Sequence, residues 1–182
     1  MPELNKINSI KGLAELLDEE PTGALVGGKM TCGVHEPGKQ EFSRKIYVAA
    51  SLSKGPWIRD HLAEFLTVEC GFKITVPWWD LPDLRKNATL EDLENRAYLD
   101  LYTGVMNADL VLVILPGGRG TNFEFGAAVA AEKPVILYDG LIDPNEVEYP
   151  SVFWELARTT RANTLKELKL MLATFAMARR GK

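Results

Sequence analysis

Two uninterrupted apolar runs with a glycine-rich turn between them constrain this sequence most strongly. Residues 108–138 read ADLVLVILPGGRGTNFEFGAAVAAEKPVILY, in which Leu110–Leu115 and Pro134–Tyr138 show no polar alternation. Such runs are typical of parallel strands that are covered on both faces. The residues between them predict a turn over Pro116–Gly120 and a helix of mostly small residues over Asn122–Ala131. The sequence therefore predicts a βαβ unit.

The rest of the chain extends this unit into a larger sheet. Three further strands and four further helices are predicted: strands Lys45–Ala50, Phe72–Val76 and Thr159–Arg161, and helices Trp57–Glu69, Thr89–Asn107, Val152–Ala157 and Leu165–Met177. Right-handed crossovers then give an α/β, flavodoxin- or Rossmann-like three-layer sandwich with a five-stranded parallel sheet in the order 2-1-3-4-5. We expect residues 44–182 to form this α/β domain. Residues 1–43, a predicted helix and a glycine-rich loop, form an N-terminal extension.

Composition restricts the possible function classes. The chain of 182 residues has a formal net charge of −4 and no basic stripe, so we expect no nucleic-acid partner. No apolar run approaches about 18 residues and no secretion leader is visible, so we expect a cytoplasmic protein without a membrane span. Cys32 and Cys70 are too few for a disulfide scaffold or, with His35, for a zinc site. We therefore expect a small-molecule ligand and neither a metal nor a cofactor.

The glycine-rich turn lies where an open parallel sheet binds ligands, at the carboxyl end of a strand. Gly117, Gly118 and Gly120 allow a phosphate or a sugar to approach the backbone closely. Glu124 follows in the predicted first turn of the helix, and two interpretations of it are open. Thr121 and Glu124 form a T-x-x-E capping box, in which the glutamate reaches back to a backbone amide. Alternatively, Glu124 is a functional carboxylate, which its position behind the turn favours.

The end of the predicted second strand carries two tryptophans and an aspartate. Adjacent tryptophans at a strand exit either stack on a nucleobase or cap the hydrophobic core. We expect one of Trp78 and Trp79 to lie in the core and the other to lie near a ligand. Trp79 and Asp80 are taken as candidate substrate contacts.

The helix predicted over Thr89–Asn107 opens with a second capping arrangement, between Thr89 and Asp92. Its predicted buried face consists of four apolar residues, Leu93, Ala97, Leu101 and Val105. Asp100 lies one residue before Leu101 in this stripe. It is either a solvated surface charge or a residue of the site.

Three segments carry a family resemblance. They are Lys45-Ile-Tyr-Val-Ala-Ala-Ser51, Val105-Met-Asn-Ala-Asp-Leu-Val-Leu-Val113, and Gly120-Thr-Asn-Phe-Glu-Phe-Gly126 with the later Lys133-Pro-Val. They are similar to the patterns K-x-I-Y-[FL]-x-[GA]-[GS], I-x-x-A-D-V-V-V-A and G-T-x-x-E-x-G-x-A…K-P-V. These patterns belong to the nucleoside 2-deoxyribosyltransferase family and its relatives, the deoxynucleoside monophosphate N-glycosidases. The resemblance covers about residues 44–178, and its third segment is the most specific.

The resemblance implies a role for several residues. Glu124 corresponds to the nucleophile of the family and Tyr47 to the tyrosine that positions it. Ser51, Gly118 and Thr121 correspond to residues that line the sugar or the phosphate. Family members complete their sites across subunit interfaces, so the resemblance also implies a homo-oligomer.

One position departs from the family pattern. The family has an aspartate eight residues before the aspartate of its A-D pair, at the base or the sugar. Counting back from Asp109 gives Leu101, and the nearest aspartate is Asp100. Because one residue turns a side chain by about 100° around an α-helix, Asp100 takes the family position only if the helix contains an extra residue as a bulge.

The turn itself resembles a second family. Pro116-Gly-Gly-Arg-Gly-Thr121 is similar to the PGGxGTxxE loop of the cytokinin-activating phosphoribohydrolases. That resemblance implies glycines that hold a 5′-phosphate, and Arg119 and Glu124 acting at the glycosidic bond. Both families cleave an N-glycosidic bond, so the reaction class is common to them.

The implied chemistry needs a carboxylate beneath C1′ of the sugar, where positive charge develops as the base departs. Glu124 must be ionised for this, and a helix N-terminus favours the anion. The departing base needs a proton or a hydrogen bond, and Asp100, Asp80 and a neighbouring subunit are candidate donors. Three hypotheses follow: base cleavage or exchange on a (deoxy)nucleoside or its 5′-monophosphate, ribonucleotide phosphoribohydrolysis, and a non-catalytic nucleotide sensor in which Glu124 only caps its helix.

Overall fold

The computed structural model describes residues 44–85, 87–142, 156 and 159–178. The predictions made for the N-terminal extension, residues 1–43, lie outside these residues. Apart from Leu156, so does the short helix predicted over residues 152–157.

Five parallel strands form one sheet. They are β1 (Arg44–Ala49), β2 (Phe72–Ile74), β3 (Leu110–Ile114), β4 (Val135–Tyr138) and β5 (Thr159–Ala162). Their order is β2-β1-β3-β4-β5, and every neighbouring pair is parallel. Within the register, Val111 of β3 lies opposite Tyr47 of β1 and Val135 of β4. The predicted fold class and strand order are confirmed.

Within the described residues, four helices of more than one turn connect and flank these strands. Helix α1 begins as Gly55–Ile58 and continues through two π-helical turns, Arg59–Ala63 and Phe65–Glu69. Helix α2 has an α-helical part, Leu90–Tyr98, which is followed by a π-helical part, Leu99–Met106. Helix α3 is Arg119–Ala130, and α4 is Leu165–Met177. Helix α3 packs against the π-helical part of α2, and α4 packs against the end of α1. The two pairs supply the helical layers of the predicted sandwich.

The sheet carries the hydrophobic core. All five residues of β3 and all four of β4 are buried, as the unbroken apolar runs predict for strands covered on both faces. On β1, Tyr47 is completely buried although its side chain carries a hydroxyl group. Because a buried hydroxyl needs a hydrogen-bond partner, the position of Tyr47 indicates a polar contact inside the fold.

Helix α2 changes character along its length. Its α-helical part begins with the predicted capping box, in which the Asp92 amide donates to Thr89 Oγ1 over 3.1 Å and the Thr89 amide donates to Asp92 Oδ2 over 2.9 Å. The predicted buried face is wrong for this part, since Leu93 is 48% exposed and no residue of Leu90–Tyr98 is buried. The π-helical part does pack inward, and Val105 is completely buried. In a π-helical turn the backbone hydrogen bonds join residues five positions apart instead of four. Apolar residues chosen at α-helical spacing therefore do not all lie on the buried face of this helix.

Candidate functional site

A cleft of about 560 Å³ is lined by the loop after β1 and the turn that leads from β3 into α3. Its volume falls within the range of small-molecule sites, about 300–1,000 Å³. Four segments line it: residues 50–53 after β1; Trp78, Leu84 and Arg85 between β2 and α2; Leu93, Arg96 and Asp100 on α2; and Gly118, Gly120, Thr121 and Glu124 at the start of α3. The cleft therefore lies at the sheet edge where the sequence predicts a ligand.

Glu124 does not take part in a capping box. Helix α3 begins at Arg119 with Gly118 as its N-cap, three residues earlier than predicted. Thr121 is the third helical residue, and its Oγ1 accepts a hydrogen bond from the Gly118 amide over 3.2 Å. Thr121 is therefore a residue of the first helical turn whose side chain accepts the hydrogen bond of the N-cap amide. Glu124 lies one turn after Thr121. The capping interpretation of Glu124 is wrong because a residue there is beyond the reach of the unpaired first-turn amides.

The carboxylate of Glu124 instead contacts Tyr47. The Tyr47 hydroxyl donates to Glu124 Oε1 over 2.7 Å, which joins β1 to α3. The ring of Tyr47 packs against Gly104 of the π-helical turn, where an added Cβ would lie 2.6 Å from ring atom Cε2. Gly104 therefore makes the space that the Tyr47 ring occupies. Tyr47 in turn fixes one oxygen of Glu124 within the cleft.

Burial dominates the electrostatics of Glu124. Desolvation raises its pKa to about 7, and the Asp100 carboxylate raises it too, while the hydrogen bond from Tyr47 lowers it. The pKa of Tyr47 is raised by burial and by the carboxylates of Glu124 and Asp100. The prediction that a helix N-terminus favours the ionised glutamate is wrong here, since the influence of the helix dipole falls off within the first turn and Glu124 lies beyond it.

Asp100 lies in the same cleft, on the π-helical part of α2. Its Oδ1 atom is buried and has no hydrogen-bond partner among the described residues. Burial raises the pKa of Asp100 to about 6, and the Arg96 guanidinium opposes this increase. Asp100 lies within the π-helical segment Leu99–Met106. The structure thus brings Asp100 and Glu124 to one cavity although the sequence spacing departs by one residue.

The glycines of the turn have different surroundings. A Cβ on Gly117 would lie 2.6 Å from Thr121 Cγ2, whereas a Cβ on Gly118 or Gly120 would meet nothing within 4 Å. Gly117 and Arg119, both predicted to bind substrate, do not line the cleft, and Arg119 is exposed. Gly117 allows the turn to pack on Thr121, and the other two glycines leave open space beside the cleft.

Both tryptophans are buried in the core, and Trp78, not the candidate substrate contact Trp79, lines the cleft. Trp78 lines the cleft and its Nε1 donates to the Val48 carbonyl over 2.6 Å. Trp79 is buried outside the cleft lining, and its carbonyl accepts from Arg59 over 2.7 Å. Asp80 also lies outside the lining and pairs with Arg59 over 2.9 Å. Trp79 and Asp80 therefore anchor the turn to α1, because one guanidinium holds both.

Of the other residues that line the cleft, some were predicted as site residues and some were not. Ser51 lies in the cleft as predicted, with its Oγ 2.9 Å from Ser53 Oγ. Leu84, Arg85, Leu93 and Arg96 also line the cleft and were not predicted. Arg96 lies four residues before Asp100, which places the two side chains on neighbouring turns of one helix face. That spacing is the one sequence signal that could have identified Arg96.

Two further findings concern the described part of the chain. It contains no group of three or more histidine, cysteine, aspartate and glutamate side chains that could hold a metal ion. None of its helices is both long enough and apolar enough to cross a membrane.

Comparison with known proteins gives a structural match. The structure of Clostridium botulinum CMP N-glycosidase, BcmB, aligns with this chain with a TM-score of 0.48 and 19% sequence identity, over 72% of this chain and 99% of that chain. No protein-family model matches the sequence, and no curated protein matches it at a significant level. The alignment concerns the fold, so the function proposed below is argued from the residues of the cleft.

Proposed function

We propose that this protein is an enzyme that cleaves or exchanges the base of a (deoxy)nucleoside or a nucleoside 5′-monophosphate, with Glu124 as the nucleophile. One observation carries the proposal: the half-buried carboxylate of Glu124 is held by the Tyr47 hydroxyl over 2.7 Å in a cleft that also contains Asp100. A carboxylate pair with raised pKa values in a cavity of this size is typical of acid–base and nucleophilic chemistry at a sugar.

The reaction begins with ionised Glu124. One Glu124 oxygen attacks C1′ of the sugar and forms a C–O bond while the C1′–N bond breaks, and the base leaves with the bonding electron pair. Tyr47 holds the other oxygen and keeps the carboxylate oriented toward the sugar. Water or a second base then attacks C1′ from the opposite face, gives up a proton to the group that protonated the departing base, and releases the Glu124 carboxylate, so that the configuration is retained overall.

Asp100 is the candidate donor to the departing base. With a pKa of about 6, Asp100 is mostly ionised near neutral pH, and its minor protonated form is the one that can donate a hydrogen bond to the base nitrogen that accumulates negative charge. Asp80, the other candidate within the chain, lies outside the cleft lining and pairs with Arg59. A neighbouring subunit remains a further possible source, and we propose a homo-oligomer that light scattering would detect.

The turn before α3 supports a nucleotide over a nucleoside. The first amides of a helix have no acceptor within the helix, and at this helix the space beside Gly118 and Gly120 is open. An anionic 5′-phosphate would satisfy those amides. A second candidate function, hydrolysis of a ribonucleotide, is favoured by the unpartnered Oδ1 of Asp100, which when ionised could accept a hydrogen bond from a 2′-hydroxyl group.

The test incubates the protein with a panel of nucleosides and nucleoside 5′-monophosphates, with and without a second free base, and follows the base by chromatography. Base exchange without net hydrolysis indicates transfer, and release from monophosphates alone indicates a nucleotide hydrolase. Glu124→Gln should abolish either activity, whereas Glu94→Gln, at an exposed glutamate of α2, should not. If nothing reacts and one nucleotide binds equally well to the wild type and Glu124→Ala, the protein is a sensor and the proposal is wrong.

A further inference from the structure

Five residues of the cleft lining, termed its second wall, take no part in the proposed chemistry. Trp78, Leu84 and Leu93 give this wall apolar surface, and Arg85 and Arg96 give it two guanidinium groups. A planar heterocycle needs apolar surface for its faces and hydrogen-bonding groups for its edge. The wall therefore has the composition of a site for the base, while Glu124 and the glycine-rich turn address the sugar and the phosphate.

The two arginines of this wall differ in how they are held. Arg85 is exposed, and two of its nitrogens donate to the Asp83 carboxylate, over 2.6 and 3.0 Å to Oδ2. Arg96 is half-buried, and its Nη2 donates to the Pro82 carbonyl over 3.1 Å. That bond uses one of the five N–H donors of the guanidinium. The side chain of Arg96 is therefore positioned by a backbone carbonyl while most of its donors stay available.

The positive charge of Arg96 affects the pKa values of two residues of the candidate site. It lowers the pKa of Asp100 against the effect of burial, and it acts in the same direction on Tyr47. Among the residues that the structure describes, no carboxylate forms a salt bridge with Arg96. A partly buried guanidinium of this kind is suited to a ligand that offers two adjacent acceptors.

We propose that Arg96 recognises the edge of the base and selects nucleotides whose base presents two neighbouring hydrogen-bond acceptors. This inference rests on the proposed function, because it assigns the base of the substrate to the part of the cleft that Arg96 lines. Guanine meets the requirement with O6 and N7, the pair that arginine contacts in a bidentate manner, and cytosine meets it with O2 and N3. Adenine places an amino group beside N7, and thymine places an N–H group beside each carbonyl. Both would direct a donor at the guanidinium.

The test measures binding by calorimetry in a Glu124→Gln background, which prevents turnover. The ligands are the 5′-monophosphates of deoxyguanosine, deoxycytidine, deoxyadenosine and thymidine. We expect Arg96→Gln to weaken binding of the guanine and cytosine nucleotides by about 5- to 100-fold and to change the other two much less. Arg96→Lys keeps the charge without the planar fork and should also lose the preference. Arg44→Gln, which removes an arginine at the start of β1, is the control for the loss of one charge.

The outcomes separate this inference from the proposed function. Equal weakening for all four nucleotides, or a base preference that survives Arg96→Gln, overturns the inference, and turnover by the unsubstituted protein would still support the proposed function. A preference that depends on Arg96 without turnover of any nucleotide supports the inference and contradicts the proposed function. Absence of binding by all four nucleotides overturns the inference, and the turnover panel of nucleosides and nucleoside 5′-monophosphates then decides the proposed function separately.

Discussion

Glu124→Gln should stabilise the protein at alkaline pH, and this can be tested without a substrate. The ionised carboxylate is costly where it lies, since burial is the largest cause of its raised pKa. Glutamine has nearly the same shape, carries no charge, and its amide oxygen can still accept the hydrogen bond from Tyr47. The substitution therefore removes the cost of burying a charge and keeps the local geometry.

The magnitude follows from the two pKa values. The pKa of Glu124 is about 7 in the folded chain against an ordinary value of 4.5. Between these values the folded state holds a proton that the unfolded state has released, so the free energy of unfolding falls as the pH rises. At about 1.4 kcal/mol for each pKa unit, the free energy of unfolding is lower by about 3 kcal/mol once the pH exceeds 7. Below about pH 4.5 both states are protonated, so this penalty is absent.

Thermal unfolding of the wild type, Glu124→Gln and Glu94→Gln at pH 4.5 and pH 8 measures the effect. At pH 8 Glu124→Gln should be more stable than the wild type, with a Tm higher by about 5–10 °C, and at pH 4.5 the two should nearly coincide. Glu94→Gln, at an exposed position, should follow the wild type at both values. A Glu124→Gln variant that is less stable than the wild type at pH 8 would refute the reasoning, because the charge would then stabilise the fold.

Three further variants test the supports of the site. Tyr47→Phe removes a hydrogen bond that lowers the pKa of Glu124, so the ascending limb of the pH–rate profile should move upward by about one to two pH units, and an unmoved limb would contradict the role of Tyr47. Gly104→Ala places a methyl group against the Tyr47 ring and should lower the free energy of unfolding in urea by about 1–3 kcal/mol; unchanged stability would show that the ring is not confined. Gly120→Ala and its matched control Gly126→Ala, both in open positions of α3, should each stabilise the helix by up to about 1 kcal/mol. Only Gly120→Ala should raise the KM for a nucleoside 5′-monophosphate, and equal KM values would exclude a phosphate at the turn.

The fold was predictable because its signals are local and strong. The unbroken apolar run of β3 and the alternation of strands and helices determine a parallel sheet, and the last helix lies at its predicted bounds, Leu165–Met177. The start of α3 was not predictable from local signals, because Gly118 and Thr121 are both acceptable N-caps. The choice between them decides whether Glu124 reaches a backbone amide or the cleft.

Other parts of the site depend on contacts that are distant in sequence. Trp78 and Trp79 are adjacent and identical, and their hydrogen-bond partners, the Val48 carbonyl for the Trp78 ring and Arg59 for the Trp79 carbonyl, are distant in sequence. Arg96 resembles any solvated charge of an amphipathic helix until the Pro82 carbonyl and the cleft are known. Sequence patterns do not encode which of several equivalent side chains meets a distant partner, so the two tryptophans could not be told apart in advance, and for Arg96 the four-residue spacing from Asp100 was the one available signal.

The widened turn of α2 has a consequence for how sites of this kind are recognised. Insertion of a single residue into a helix can rotate a carboxylate toward a cavity and leave both ends of the helix anchored where they were. In this chain Asp100 lines the cleft and lies within a π-helical segment that begins at Leu99. A search that demands a fixed interval between motif residues will pass over such a chain, whereas one that permits a single extra residue within the helix will retrieve it.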